Sequence, residues 1–259
     1  MEYGVVFWVL ATLSAIFVGL GKGGLPVIAL LAVPVLSLVM PTIAAASLLL
    51  PVYIVSDLFA LFAYRRDFSK DVLKIGVIGM TIGVAVGWMT AHVVIDWIVT
   101  LFIGFMGTTF SLNLLVKQKI QKVDIRPLSY KRGYFWCLVA GFTSFISHSG
   151  GPPWQIFTLP LNLSKSVFVG TSVIAFSYCN VIKLVPYYFL GQIDSNSFKT
   201  TIYLTVPASI AVFIGVKIVK LIPEKMFYKF VSFALLFIST KLIWDGFKAS
   251  EMLNHVHIF

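Results

Sequence analysis

The chain has 259 residues, of which 59% are hydrophobic, 15% aromatic and only 12% charged, with a mean hydropathy of +0.94 and a formal net charge of +10. A water-soluble domain carries roughly 25% charged residues, so this composition excludes a secreted disulfide scaffold, a soluble nucleotide-binding enzyme and a nucleic-acid binder. The lipid bilayer is its solvent, and a spanning helix takes about 20 residues, which leaves room for a single membrane domain over 1–259 and little else.

In chain order the apolar runs fall near 3–20, 25–39, 42–64, 72–91, 94–116, 133–147, 152–163, 166–190, 198–220 and 226–246. They predict an all-α, multi-pass integral membrane protein of about 8–10 transmembrane segments. Met1-Glu2-Tyr3 lacks the basic start of a cleavable signal, so the first run is expected to stay in the mature chain. The runs 25–39, 133–147 and 152–163 are short for a hydrocarbon core about 30 Å thick and read as half-helices.

Charge gives the expected direction. The stretch 117–132 carries Lys117, Lys119, Lys122, Arg126, Lys131 and Arg132 against Asp124 alone, and Arg65, Arg66, Lys70 and Lys74 form a second basic loop. Both are expected on the cytoplasmic side. If 3–20 with 25–39, and 133–147 with 152–163, are hairpins that return to their starting side, Lys165, Lys217, Lys220 and Lys225 also lie inside. The loop 191–197, which has no basic residue, then lies outside. A hairpin plus three spans reverses direction, so two inverted repeats follow: repeat 1 about 1–120, a cytoplasmic linker about 117–132 and repeat 2 about 133–259, an organisation common in secondary transporters. Gly23-Gly24-Leu25-Pro26 and Gly150-Gly151-Pro152-Pro153 stand 127 positions apart, each followed by a further proline, Pro34 or Pro160.

The glycine turns are the first candidate site. Gly19-Leu20-Gly21-Lys22-Gly23-Gly24-Leu25-Pro26 and Ser147-His148-Ser149-Gly150-Gly151-Pro152-Pro153 each break a helix and restart one. Irregular backbone at membrane depth is tolerated only inside protein or along a wet cavity, and a half-helix N-terminus suits an anion. Substrate-binding candidates are therefore Gly21, Lys22, Gly23, Gly24, His148, Ser149, Gly150 and Gly151. The plainer alternative is that the glycines serve close packing and the prolines only kink.

Ionisable residues inside spans complete the set. Asp57 can accept transported protons or neutralise Lys22; His148 can donate to a ligand or shuttle a proton. Asn180 and Lys183, three apart on one helix face, can meet one anion, and an Asp57–Lys183 pair is also open. Snorkelling of Lys183 is the bland reading. Lys241 and Asp245 are spaced for a local pair. His255 and His257 have no supporting ligands, so neither a metal nor another cofactor is expected. Cys137 and Cys179 read as small buried apolar residues. Trp8, Trp88, Trp97, Trp136 and Trp244 suit an interfacial belt, while Trp154 follows the second turn and can wall a cavity or simply pack.

Together the Gly-Lys-Gly-Gly turn leading to Val33-Pro34, the stretch Leu48-Leu49-Leu50-Pro51 to Asp57 closing in Tyr64-Arg65-Arg66, and His148-Ser149-Gly150-Gly151-Pro152-Pro153 with Gly170-Thr171 and Asn180 to Gly191 resemble the sulfite exporter TauE/SafE family. The resemblance covers nearly the whole chain. It implies a non-enzymatic permease of the prokaryotic inner membrane that moves sulfite, sulfonates or other organosulfur anions, usually outward and driven by protons. The family's glycine motifs correspond to Gly21, Gly23, Gly24, Gly150 and Gly151, and its asparagine to Asn180; where other members carry a third glycine, this chain has Lys22. A passive anion channel is the alternative. The expected partners are a small anion and the bilayer, with a homodimer left open.

Overall fold

A computed structural model describes residues 4–29, 31–36, 38–40, 42–119, 125–147, 149–189 and 198–256. Met1–Tyr3, Lys122, Asp124, His148, the loop 191–197 and His257 lie outside them. The helices are α1 (Val5–Lys22), α2 (Pro26–Ala29), α3 (Ala32–Leu36), α4 (Thr42–Tyr64), α5 (Lys70–Thr90), α6 (Asp96–Lys119), α7 (Tyr130–Ser147), α8 (Gly151–Thr158), α9 (Lys165–Phe189), α10 (Phe198–Leu221) and α11 (Glu224–Val256), with a 3-10 turn at Leu159–Leu161. Among the described residues there is no strand, as lipid demands: a helix satisfies its own backbone polar groups. Six of these helices hold stretches long and apolar enough to cross a membrane: Val5–Lys22, Lys70–Thr90, Trp97–Val116, Lys165–Pro186, Thr200–Leu221 and Glu224–Ser250. By contrast α8, with 8 residues, is only about 12 Å long.

The helices pack into two compact units, Met1–Phe68 with Lys165–Glu224, and Ser69–Ser164 with Lys225–Phe259. In the first, α1 turns Phe7, Ala11, Ala15 and Val18 inward at helical spacing, against Leu36, Leu48, Leu49, Val52, Leu204 and Ala208. Lipid offers no hydrophobic drive between helices, so close backbone approach supplies the attraction. At Gly19 an added Cβ would fall 2.0 Å from the Ala208 carbonyl oxygen of α10. Lys165 closes the same unit at its other end, its Nζ donating to the carbonyls of Val219 (3.0 Å), Lys220 (2.8 Å) and Ile222 (2.5 Å) at the end of α10. Those carbonyls have no partner within their helix, and a cation also suits the negative dipole end.

In the second unit, α5 starts on Ser69, whose Oγ accepts the Val72 N–H at 3.5 Å, with Asp71 in the first turn. It packs on α7 through small residues: a Cβ at Gly83 would lie 2.1 Å from the Leu138 carbonyl oxygen. α6 approaches α11 equally closely, with Gly107 against Ser239 Oγ.

The offset that relates the glycine turns also relates the element boundaries. The 127 positions that separate Gly24 from Gly151 also bring α1 onto α7, α2 and α3 onto α8 and the 3-10 turn, α4 onto α9, α5 onto α10 and α6 onto α11, within a few residues except at the end of α11, which runs on to Val256. The α1–α10 contact of one unit is then the counterpart of the α7–α5 contact of the other. Each unit thus draws helices from both halves of the sequence.

Two boundaries differ from the sequence reading. The run 25–39 is not one half-helix but two short pieces, α2 and α3, with Pro34 inside the second. The last helix does not stop near 246 but continues to Val256 as a helix of 33 residues; hydropathy marks where lipid ends, not where backbone hydrogen bonding does. Lys241 and Asp245 do form their local pair, Cys137 and Cys179 are buried free thiols, and Trp88 and Trp244 are exposed. Trp154 is buried, edge-on to Phe157 at 6.3 Å.

Candidate functional site

The first glycine turn ends α1. Its backbone N–H groups turn back on the helix they leave: Gly23 to the Gly19 carbonyl (2.8 Å), Gly24 to Gly21 (3.1 Å) and Leu25 to Leu20 (3.1 Å). Gly24 sits at φ +114°, a conformation that strains any residue with a Cβ. Space is short as well, since a Cβ at Gly21 would lie 2.3 Å from the Ala29 Cβ and one at Gly23 2.5 Å from the Val212 carbonyl oxygen. Tyr64 Oη donates to the Gly23 carbonyl at 2.8 Å and holds the turn against the end of α4. With its N–H groups already bonded, this turn offers charge through Lys22 rather than through its backbone.

Lys22 is the last residue of α1, and its Nζ meets Asp57 Oδ1 at 2.6 Å. The same oxygen accepts Ser177 Oγ at 2.9 Å, and Oδ2 accepts Asn180 Nδ2 at 2.8 Å. Three donors from the turn and from α9 therefore engage both oxygens of one carboxylate from the middle of α4. The Asp57 side chain is 5% exposed and that of Lys22 14%. An ion deep in a span costs about 2.5–3.5 kcal/mol on insertion scales, and this pairing and hydrogen bonding is what makes it tolerable. Tyr53, one turn before Asp57, lies under Lys22, with its ring centroid 5.5 Å from Nζ, and donates to the Ala29 carbonyl at 3.3 Å.

Lys183 is buried on α9, one turn beyond Asn180, within electrostatic range of both Lys22 and Asp57. The ion pair of Asp57 is thus with Lys22, and Lys183 stands beside it. Gly21, Lys22, Gly23, Gly24, Asp57, Asn180 and Lys183 all come together in the first unit.

Ser149, Gly150 and Gly151 belong to the second unit, at the start of α8. Ser149 donates its N–H to the Thr143 carbonyl at 3.1 Å, and Thr143 Oγ1 donates back to the Ser149 carbonyl at 3.3 Å. Pro152 and Pro153 remove two of the N–H groups that a helix N-terminus would otherwise present. Gly151 differs from its counterparts in the first turn: a Cβ there would meet nothing within 4 Å among the described residues. His148 lies outside the described residues. Gln155, one turn into α8, is buried, and its Oε1 has no hydrogen-bond partner among the described residues.

Four residues of these sites escape the sequence reading. Ser177 precedes Asn180 by the same three positions that separate Asn180 from Lys183, so extending that spacing backward would have found it. Tyr53 precedes Asp57 by one turn of α4 and Tyr64 follows it by two, a stripe also open to inspection. Gln155 stands out only as an amide in an apolar helix.

Among the described residues no group of three or more His, Cys, Asp or Glu side chains is placed to hold a metal. Compared with protein-family profiles, residues 5–242 match the family described as Sulfite exporter TauE/SafE. Neither the curated proteins nor the solved structures yield a match.

Proposed function

The chain belongs to the sulfite exporter TauE/SafE family, a family of membrane permeases, and from that premise we propose that it is a secondary-active, proton-coupled exporter of a small anion such as sulfite, a sulfonate or another organosulfur acid. The observation that carries the reading is the Lys22–Asp57 pair, a charge pair buried at a helix break. A purely structural pair in lipid is often no more stabilising than apolar residues of the same volume. A pair whose members can be parted by a proton and an anion gives the cost a use.

The carboxylate of Asp57 and the substrate compete for one ammonium. While Asp57 is ionised it holds Lys22. A proton taken up on Asp57 removes that counter-charge, and the Lys22 ammonium is then satisfied by an anionic oxygen of the substrate, with Asn180 and Lys183 within reach as further donors. Loss of the proton restores the pair and releases the anion. Proton and anion thus travel together, and a divalent anion leaving with one proton still carries one negative charge outward. An inside-negative potential favours that exit by about 2.3 kcal/mol per 100 mV, whereas an alkaline interior opposes it, so the potential drives export and the proton sets the stoichiometry. By the same reading of a helix break, we assign Ser149, Gly150, Gly151 and His148 of the second turn to substrate binding within their own unit, and the chain to an inverted-repeat architecture. We assign the protein to the prokaryotic inner membrane, with the basic linker 117–132 facing the cytoplasm.

Purified protein in liposomes, given labelled sulfite or a sulfonate under an imposed pH gradient, tests the assignment. Wild type accumulates label with the gradient, while Lys22→Ala and Lys183→Ala each lose most of the uptake. Uptake unchanged in both variants would remove Lys22 and Lys183 from the site.

A further inference from the structure

Two faces of α8 are covered within the second unit. Pro152 packs toward α6, where a Cβ at Gly107 would lie 3.4 Å from the Pro152 Cβ, and Ile156, one turn on, lines a cavity with Met106 and Phe110 of that helix. Phe157 turns to α7, its ring 2.7 Å from a Cβ placed at Gly133. Gly151 and Gln155, again one turn apart, share a third face. Gly151 is partly exposed, and a Cβ there would meet nothing within 4 Å among the described residues. Gln155 is only 5% exposed, yet its Oε1 has no hydrogen-bond partner among the described residues. Helical side chains lean toward the N-terminus of their own helix, so the Gln155 amide reaches back along this face toward the room over Gly151. The turn before it is fixed from α7: the Ser149 N–H donates to the Thr143 carbonyl at 3.1 Å, and Thr143 Oγ1 donates to the Ser149 carbonyl at 3.3 Å.

A buried acceptor without a donor is costly, and room beside it lets a ligand supply the donor. The positive end of the α8 dipole favours negative charge at the same place and repels a metal ion or an ammonium. A fully ionised oxyanion, in turn, has no proton to give Oε1. We propose that Gly151 and Gln155 form a binding site for a singly charged oxyanion that keeps one hydroxyl, hydrogen sulfite among the sulfur acids, with the hydroxyl donating to Gln155 Oε1 and the charged oxygens toward the start of α8. This deepens the transport reading and rests on it for the class of anion. It also separates two substrates that the reading leaves together. An alkylsulfonate carries the same single charge but has carbon where hydrogen sulfite has its hydroxyl, and seating it strands the Gln155 oxygen.

The test titrates detergent-purified full-length protein with sulfite and with methanesulfonate, in mildly acidic buffer that holds sulfite chiefly as hydrogen sulfite, and reads binding by calorimetry and thermal shift. Wild type binds hydrogen sulfite about ten-fold more tightly than methanesulfonate, because the latter leaves a buried acceptor unpaired. Gln155→Leu binds the two alike and melts no lower than wild type, since it removes the unpaired oxygen at similar volume. Gly151→Leu, whose side chain occupies the room, also loses the preference. A second series in the Lys22→Met/Asp57→Asn background takes the first turn's charge pair out of the measurement, and the preference persists there. Equal binding of the two anions by wild type overturns the proposal, as does a preference that survives Gln155→Leu or Gly151→Leu, or one that vanishes with the first turn's pair. A Gln155→Leu variant that melts well below wild type overturns it too, since the amide would then be bonded within the fold. Failure of the transport reading alone looks different: the preference stands, while wild type in liposomes does not accumulate sulfite with the gradient.

Discussion

The two glycine turns look like copies in the sequence and differ in what surrounds them. At the first, every position is crowded: Ala29 stands against Gly21, the α10 backbone against Gly23, Val169 and Val219 against Gly24, and Tyr64 bonds the turn from the side. Lys22 leaves this packed turn to reach a carboxylate that is itself held by Ser177 and Asn180. At the second, among the described residues, a Cβ at Gly151 would meet nothing, two prolines follow it, and the buried Gln155 Oε1 one turn on has no hydrogen-bond partner. A shared motif thus breaks the helix in both places, but among the described residues the charge stands at the first turn and the room at the second.

The contrast can be tested in order of expected size. Breaking the buried pair comes first: Lys22→Met or Asp57→Asn alone leaves one buried charge uncompensated and is expected to cost about 3–5 kcal/mol. The double variant Lys22→Met/Asp57→Asn should recover most of that loss in thermal melts of purified protein. If the double variant is as unstable as either single one, the pair is not a closed unit. Gly23→Ala comes next, because its Cβ meets backbone of α10 that cannot swing aside; overpacking of that kind costs about 1–3 kcal/mol. Tyr64→Phe removes one hydrogen bond to the turn, worth about 0.5–1.5 kcal/mol. Gly151→Ala is the smallest, within about 0.5 kcal/mol of wild type. A melt in which Gly151→Ala falls as far as Gly23→Ala would erase the distinction between the turns.

How far each feature was legible follows from how local its cause is. Helices could be read because lipid leaves the backbone few other options, and both turns because glycine and proline act on their own neighbours. The break within the 25–39 run could not, since the residues around it are uniformly apolar. Lys22, Asp57, Asn180 and Lys183 were legible as candidates because a charge or amide within a span is conspicuous. Their pairing was not: Lys22 and Lys183 were both reasonable partners for Asp57, and only the path of α1 into the turn brings Lys22 to 2.6 Å. Ser177 is 120 positions from the carboxylate it serves, a contact that packing rather than spacing decides. Trp154 shows the same limit, conspicuous beside the turn but buried in ordinary packing against Phe157.

The central claim is that Asp57 is the group through which protons act on Lys22. Its most direct test is proton-driven flux in liposomes for wild type and Asp57→Asn, at a temperature where gel filtration shows both to be folded. Labelled anion should accumulate with an imposed pH gradient in wild type, whereas Asp57→Asn should exchange anion across the membrane yet fail to accumulate it at any gradient. Gradient-driven accumulation by Asp57→Asn equal to wild type would contradict the account, and passive flux in wild type that ignores the gradient would make the protein a channel.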